Sequence, residues 1–215
     1  MITLALELSS RHGSAALLSG RELLQEETWN EKDVRGQHVF KVLPAMLRKA
    51  SLAMETIDVF AVGRGPGSYS GMRVAITAAQ AVALPGQKPV FAVSSGEALA
   101  QEVADAEQAS RVAGVGAARR GTVWFGVFEN TGQGLSQIKP WTVCTPENLP
   151  AELSADTLIA SPDLHKLSSI LKELKLRHLE EDRFPKARFV GQLAVRKLYF
   201  FFNFYAILEI YTQPA

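Results

Sequence analysis

The chain opens on a nearly unbroken apolar run, "ITLALEL" at 2–8, as a central strand does when both of its faces are buried. A turn, "SSRHGS", follows, and then "AALLSG" and "RELLQEETW", so the first 29 residues predict a three-stranded antiparallel meander. In "GQHVFKVLPAMLRKASL" the pattern changes to a helical period. Val39, Val42, Leu43, Met46, Leu47 and Ala50 fall on one face, with Pro44 inside the pattern, where it must lie near the first turn or bend the helix. Residues 57–62 predict a strand that runs into the glycine-rich stretch "GRGPGSYSG", 63–71. A helix follows over 71–84, with Met72, Ala75, Ile76, Ala79 and Val82 on one face. "GQKPVFAVSS" predicts a short strand and "SSGEALAQEVADA" a helix with a serine cap.

Residues 1–109 therefore predict the order βββαβαβα, which makes a mixed sheet with helices packed on it. A second, smaller unit starts near residue 110. Its predicted strands are "RVAGVGA", "GTVWFGVFE", "LSQIKPWTV" and "DTLIAS"; its helices begin at "TPENLP", "PDLHKLSSILKELKL" and "PKARFVGQLAVRKL". The terminal helix is free to return to the first lobe. There are no heptads, no low-complexity tracts and no long linker.

The glycine-rich stretch lies between a strand and a helix, where the free N–H groups of a helix end can hold an anion. It is no Walker A loop, because no Lys follows Gly71. Nor is it a dinucleotide fingerprint: Gly65, Gly67 and Gly71 have the wrong spacing, and Pro66 occupies the tight turn. Two readings stay open for Gly65, Pro66, Gly67, Ser68, Tyr69, Ser70 and Gly71: a phosphate cradle, or a tight turn whose glycines permit close packing. In the helix beyond, Ala75, Ala78, Ala79, Ala81 and Ala83 leave room for the sheet on one side and a partner on another.

Elsewhere the chemistry is sparse. Glu7, beside Ser9 and Ser10, reads as a turn residue or as part of a phosphate-side network. His12, His38, His165 and His178 are scattered without metal-ligand spacing, so no metal site is expected. Arg119 and Arg120 sit in "AARRG" as a solvated turn or a phosphate contact. There is no G-x-S-x-G elbow and no recognisable triad. The formal net charge of +1 gives no support to broad nucleic-acid binding, and the single cysteine, Cys144, excludes an internal disulfide. The N-terminus lacks the basic and long apolar regions of a signal peptide. The apolar "LYFFFNFYAILEIY", 198–211, is too short to span a bilayer. A cytoplasmic location is the expectation.

"GRGPGSYSGMRVAI" resembles the G-R-G-P-G-S-F-T-G-L-R-I signature of the bacterial TsaB (YeaZ) family, an accessory subunit in making N6-threonylcarbamoyladenosine on tRNA. "LALELSS", "GQHVFKVLPAML", "VFAVSSGEALA" and "AARRGTVWFGVF" resemble other family segments in order and spacing, clearly to about Phe128 and thinly beyond, in "PENLP", "PKARFVGQLA" and "IYTQP". The resemblance implies an α/β fold of the actin/Hsp70/sugar-kinase type, with two RNase H-like lobes. It implies no catalysis by this chain and no cofactor bound by it alone, with nucleotide and metal on its partners. Those partners are a TsaD-type catalytic subunit and a TsaE-type ATPase; tRNA is met indirectly, through the complex. It places the interface on the helices at about 37–52 and 71–84, hence on Val39, Val42, Leu43, Met46, Leu47, Met72, Arg73, Ala75, Ile76 and Ala79. Apolar helix faces left uncovered tend to pair, so a homodimer through the same two helices is expected when the chain is alone.

The chain departs from the pattern in three places. Glu7-Leu8-Ser9 stands where the family has Asp-Thr-Ser, Ala117 stands for the Asp of D-A-R-R-G, and 198–211 replaces a polar, proline-containing stretch. The competing readings are an ATP-dependent kinase or carbamoyltransferase of the same fold, which would need acidic phosphate-loop residues or metal-binding histidines, and a peptidase, which would need a nucleophile and base.

Overall fold

A computed structural model describes residues 1–30, 38–132 and 134–212 of the chain, the stretch from 200 onward by its backbone alone. The predicted helix start at 36–37, the "QP" at 213–214 and the side chains of the aromatic segment from Phe200 lie outside the described residues.

Strands β1 (Ile2–Glu7), β2 (His12–Ser19) and β3 (Glu22–Asn30) form the expected meander, and β4 (Val59–Gly63) and β5 (Val90–Val93) add in parallel, giving the order β3-β2-β1-β4-β5. In the second sheet, β6 (Arg111–Ala117), β7 (Val123–Asn130) and β8 (Leu135–Cys144) form another meander, and β9 (Leu158–Ala160) joins β6 in parallel, giving β8-β7-β6-β9. Both sheets thus place their first strand between its antiparallel neighbour and its first parallel one. That repeated RNase H-like plan is the actin/Hsp70/sugar-kinase architecture. β2 starts at His12, inside the stretch read as a turn, because Ser10 Oγ hydrogen-bonds the backbone of His12 and closes the reversal early.

The alternation of β1 separates two cores. Leu4 and Leu6 face one side, with Leu17, Phe60 and Val62, and are covered by α1 (His38–Lys49) and α2 (Tyr69–Ala83). Ala5 faces the other side, with Ala16, Leu18 and Ala61, and is covered by α6 (Ala187–Thr212). That second face is built from small residues so that the helix can lie close: a Cβ on Gly191 would overlap Leu18 Cδ1 and approach Ala5 Cβ at 3.3 Å. Burial of both faces is why the first strand reads as a continuous apolar run. Pro44 lies inside α1 but on its exposed side.

In the second sheet, Ala113, Val115, Phe125 and Val127 pack under α4 (Leu149–Glu152) and α5 (Leu164–Glu173), while Val112, Phe128 and Ala160 pack on α3 (Ser95–Glu107). Trp141 lies over Gly96, Gly114 and Gly126. So α3 covers the second sheet and α6 covers the first, and the two helices meet between the sheets. Ion pairs line this contact: Glu97 of α3 pairs with Lys197 at 2.7 Å and Arg196 at 3.6 Å on α6, and Glu102 and Glu107 of α3 pair with Lys186 and, at 3.4 Å, Arg183 in the segment leading into α6. The backbone of α6 stays helical through Thr212, so the aromatic segment forms no strand.

Candidate functional site

The glycine-rich stretch leaves β4 and enters α2, whose N-cap is Ser68, its Oγ accepting from Gly71 N at 3.2 Å. α2 therefore begins at Tyr69, two residues before the predicted start. The loop is pinned from two sides. Gly65 N donates to Ser95 Oγ at 2.9 Å, and Ser95 N donates to the Gly65 carbonyl, also at 2.9 Å. On the other side the loop rests on the β1–β2 turn, with Ser68 N donating to the Ser9 carbonyl at 2.6 Å. A Cβ on Gly67 would fall inside the Ser9 carbonyl oxygen, and one on Gly71 inside that of Leu8. Of the two readings of this loop, the structure supports the turn. The room its glycines make is filled by the chain's own backbone.

Glu7 belongs to the same knot and is fully buried. Its Oε1 accepts from Ser9 N at 2.6 Å, while Oε2 has no hydrogen-bond partner among the described residues and lies where a side chain on Gly63 would be. Burial raises its pKa, opposed by the Ser9 and Ser95 hydroxyls and the Ser9 N–H. The native state therefore holds this proton at pH values where the unfolded chain has lost it, and the stability it contributes falls as pH rises from the unfolded pKa through the folded one. Glu7→Gln removes that slope. We expect denaturant midpoints measured from pH 4 to 8 to fall less steeply for the variant, with Glu7→Gln at least as stable as the parent at neutral pH. An unchanged slope would contradict the assignment.

These features do not fit a nucleotide with its metal. Glu7 points into the core rather than to a phosphate, and Asp163 is engaged by Ala117 N at 3.1 Å and Lys166 Nζ at 2.7 Å. Among the described residues no group of three or more His, Cys, Asp or Glu is placed to hold a metal ion. A cavity of about 740 Å³ does lie between the lobes, lined by the β1–β2 turn, Gly67, Ser68, Arg119, Trp124 and the start of α5. At its edge Arg11 pairs with Asp182, which also accepts from His165 N and Nδ1 at 3.1 Å. Among the described residues, no hydroxyl or thiol hydrogen-bonds the His165 ring, so the arrangement ties the lobes together without assembling a nucleophile. Arg120 is exposed in the left-handed conformation of its turn (φ 57°), His12 stacks on Phe184, His38 packs beside Trp29, and His178 Nδ1 bonds the Leu176 carbonyl at 2.8 Å. Cys144 is half-buried, with its thiol pKa raised by burial.

The two outer helices present a different surface from the one the sequence predicts. Val39, Val42, Leu43, Met46 and Leu47 of α1, and Ala75 and Ala79 of α2, are buried against the first sheet. As direct contacts for a partner these seven are corrected. An amphipathic stripe covers its own sheet first, because that burial is available within the chain. Met72 and Ile76 are half-buried, Met72 beneath Gly65, and Arg73 is exposed. The open face is instead a shallow groove of about 380 Å³ lined by Phe40, Ser70, Arg73, Val74, Thr77 and Ala78. Phe40 is 58% exposed and Tyr69, which lies under the Arg73 guanidinium, is 71% exposed. The signal for this groove was in the sequence: Phe40 is a large aromatic at a position the helical period assigns to water.

Comparisons with known proteins agree with this architecture. The family model described as TsaD, tRNA N6-adenosine threonylcarbamoyltransferase, matches residues 35–192. The TsaB protein of Haemophilus influenzae, named for tRNA threonylcarbamoyladenosine biosynthesis, is 31% identical over 164 residues, covering 71% of this chain and 68% of that protein. Its Escherichia coli counterpart is 28% identical over 130 residues, and the match spans only 56% of that protein. The solved structure of YeaZ from Pseudomonas aeruginosa superposes with a TM-score of 0.78 at 25% identity, covering 93% of each chain. That solved structure covers both lobes of this chain. The chain belongs to the TsaB (YeaZ) family.

Proposed function

We propose that the chain is a non-catalytic subunit that docks on and stabilises a TsaD-type transferase in the threonylcarbamoylation of tRNA adenosine next to the anticodon. A TsaE-type ATPase completes the machinery, nucleotide and metal are held by the partner subunits, and tRNA is engaged through the complex. The names of the relatives support the pathway. The observation that carries the docking role is the contrast between two surfaces. The glycine-rich loop is packed against its own turn, with Glu7 turned inward, while the α1–α2 pair leaves an apolar groove edged by an exposed phenylalanine. Exposed aromatics around a shallow apolar groove are the usual composition of a binding centre. The reading carries a cytoplasmic location with it. Among the described residues, no helix is long and apolar enough to cross a membrane.

The test is reconstitution. Product formation is measured for the transferase subunit with its ATPase, substrate and tRNA, with and without this chain. The chain should raise the rate about tenfold or more and should itself turn over no ATP on the scale of about 1 per second common to enzymes. ATP turnover by the isolated chain at that rate, or a transferase indifferent to its presence, would overturn the proposal.

A further inference from the structure

The strap that leads from the second lobe into α6, residues 179–186, carries an acidic run, Glu180-Glu181-Asp182. Glu180 and Glu181 are exposed. The Asp182 side chain is only 11% exposed and turns onto two residues that line the inter-lobe cavity, Arg11 and His165. Three donors of different kinds meet its carboxylate. The Arg11 guanidinium, from the β1–β2 turn of the first lobe, pairs with Oδ2. From the second lobe, His165 Nδ1 lies 3.1 Å from Oδ2, and His165 N donates to Oδ1 at 3.1 Å. That N–H belongs to the first turn of α5, where a helix leaves its donors free, and the cap residue Asp163 makes no side-chain cap bond to them. The strap is seated beside this point. Arg183 N donates to the Ser161 carbonyl at 2.9 Å, and the Phe184 ring stacks on His12 at 4.0 Å, with the Arg11 guanidinium 5.1 Å from its centre.

A guanidinium, an imidazole and a helix-start N–H that converge on one point are the components of an anion site. We infer that Asp182 is an internal ligand: the strap's carboxylate fills a site for a carboxylate or a phosphate monoester, and so latches the edge of the inter-lobe cavity against external anions of that kind. The donors come from both lobes, so the group they share is also what holds the strap across them. Without Asp182, Arg11 and His165 stand side by side with no acceptor between them, since Arg11 Nη1 lies 3.4 Å from both ring nitrogens. Lys166, on the same cavity wall, is already taken by Asp163 at 2.7 Å, which leaves Arg11 and His165 to decide what binds. The tether gives Asp182 an effective concentration on the order of millimolar or above, so an outside anion displaces it only at comparable concentration. The inference is independent of the docking role.

The test removes the internal ligand and offers an external one. Melting temperatures of the full chain and of Asp182→Ala are measured at constant ionic strength in chloride, in inorganic phosphate and in acetate. In chloride the variant should melt about 5 °C or more below the parent, as loss of one partner from a largely buried charge cluster implies. Phosphate or acetate at about 50 mM should restore at least half of that loss, by binding the folded state alone. Phosphate stabilises folded proteins in general, so the quantity read is the variant's gain beyond the parent's. Recovery by phosphate alone marks the site as one for phosphate monoesters, and recovery by acetate marks it as one for carboxylates. Arg11→Ala/Asp182→Ala should gain no more than the parent in either anion. If Asp182→Ala does not fold in chloride, its yield on refolding in phosphate or acetate reads the same rescue. Equal gains for parent and variant would overturn the inference. So would a variant that neither anion stabilises or refolds, or a gain that persists in the double variant.

Discussion

Gly71→Ala is expected to unfold the first lobe. A Cβ at this position would sit inside the carbonyl oxygen of Leu8, at the end of β1 where it hands over to the turn. Backbone cannot swing aside as the end of a flexible side chain can. Neither side is free to give way: α2 is fixed at its cap by Ser68, and the turn is fixed by the Ser9 N–H on Glu7 and by Ser68 N on the Ser9 carbonyl. We expect a loss of more than about 4 kcal/mol in denaturant unfolding, in the range reserved for substitutions that force core or backbone rearrangement. Gly121→Ala is the control. Its φ of 75° carries a conformational cost of its own, but nothing lies within 4 Å of the added atom. That cost should be only about 1 kcal/mol. Equal effects at the two positions would show that backbone freedom, rather than close approach of loop to turn, is what the glycine-rich stretch supplies.

The second large effect concerns binding without folding. Thr77 is exposed on α2 and lines the groove beside Phe40. Thr77→Trp fills the groove from within while leaving the core against the sheet untouched. The melting temperature should stay within a few degrees of the parent, as surface substitutions do. Affinity for the transferase subunit should fall about 100-fold or more, the equivalent of about 2.7 kcal/mol. Ala75→Trp is the opposite case. Ala75 is buried in the sheet-facing core, so that variant should fail by overpacking before binding can be asked of it.

These contrasts mark what the sequence could and could not tell. The order of strands and helices was legible because each element has a clean period. The continuous run in β1 and the 39-42-43-46-47 stripe in α1 needed no structure to be seen. The direction in which each helix faces was not legible, since one apolar stripe serves equally for a sheet and for a partner. That ambiguity placed the interface on residues the chain had already used for its own core, and left Phe40 unremarked. The exchange of α3 and α6 between the sheets was hidden for a similar reason. α3 ends at Glu107, three residues before the predicted lobe boundary, and only the long-range contacts of Leu99, Val103 and Trp141 assign it to the second sheet. The role of Gly67 and Gly71 could be posed from their spacing but not decided. What approaches them, Ser9 and Leu8, lies about sixty residues away in the chain.

The most direct measurement is hydrogen exchange of the chain alone and in the presence of a saturating amount of the transferase subunit. The account predicts slowed exchange in α1 and α2, strongest around Phe40, Arg73 and Thr77, with the edge strand β8 and the inter-lobe cavity at Arg119 and Lys166 unchanged. Protection confined to β8 or to that cavity, with α1 and α2 exchanging as in the free chain, would contradict it.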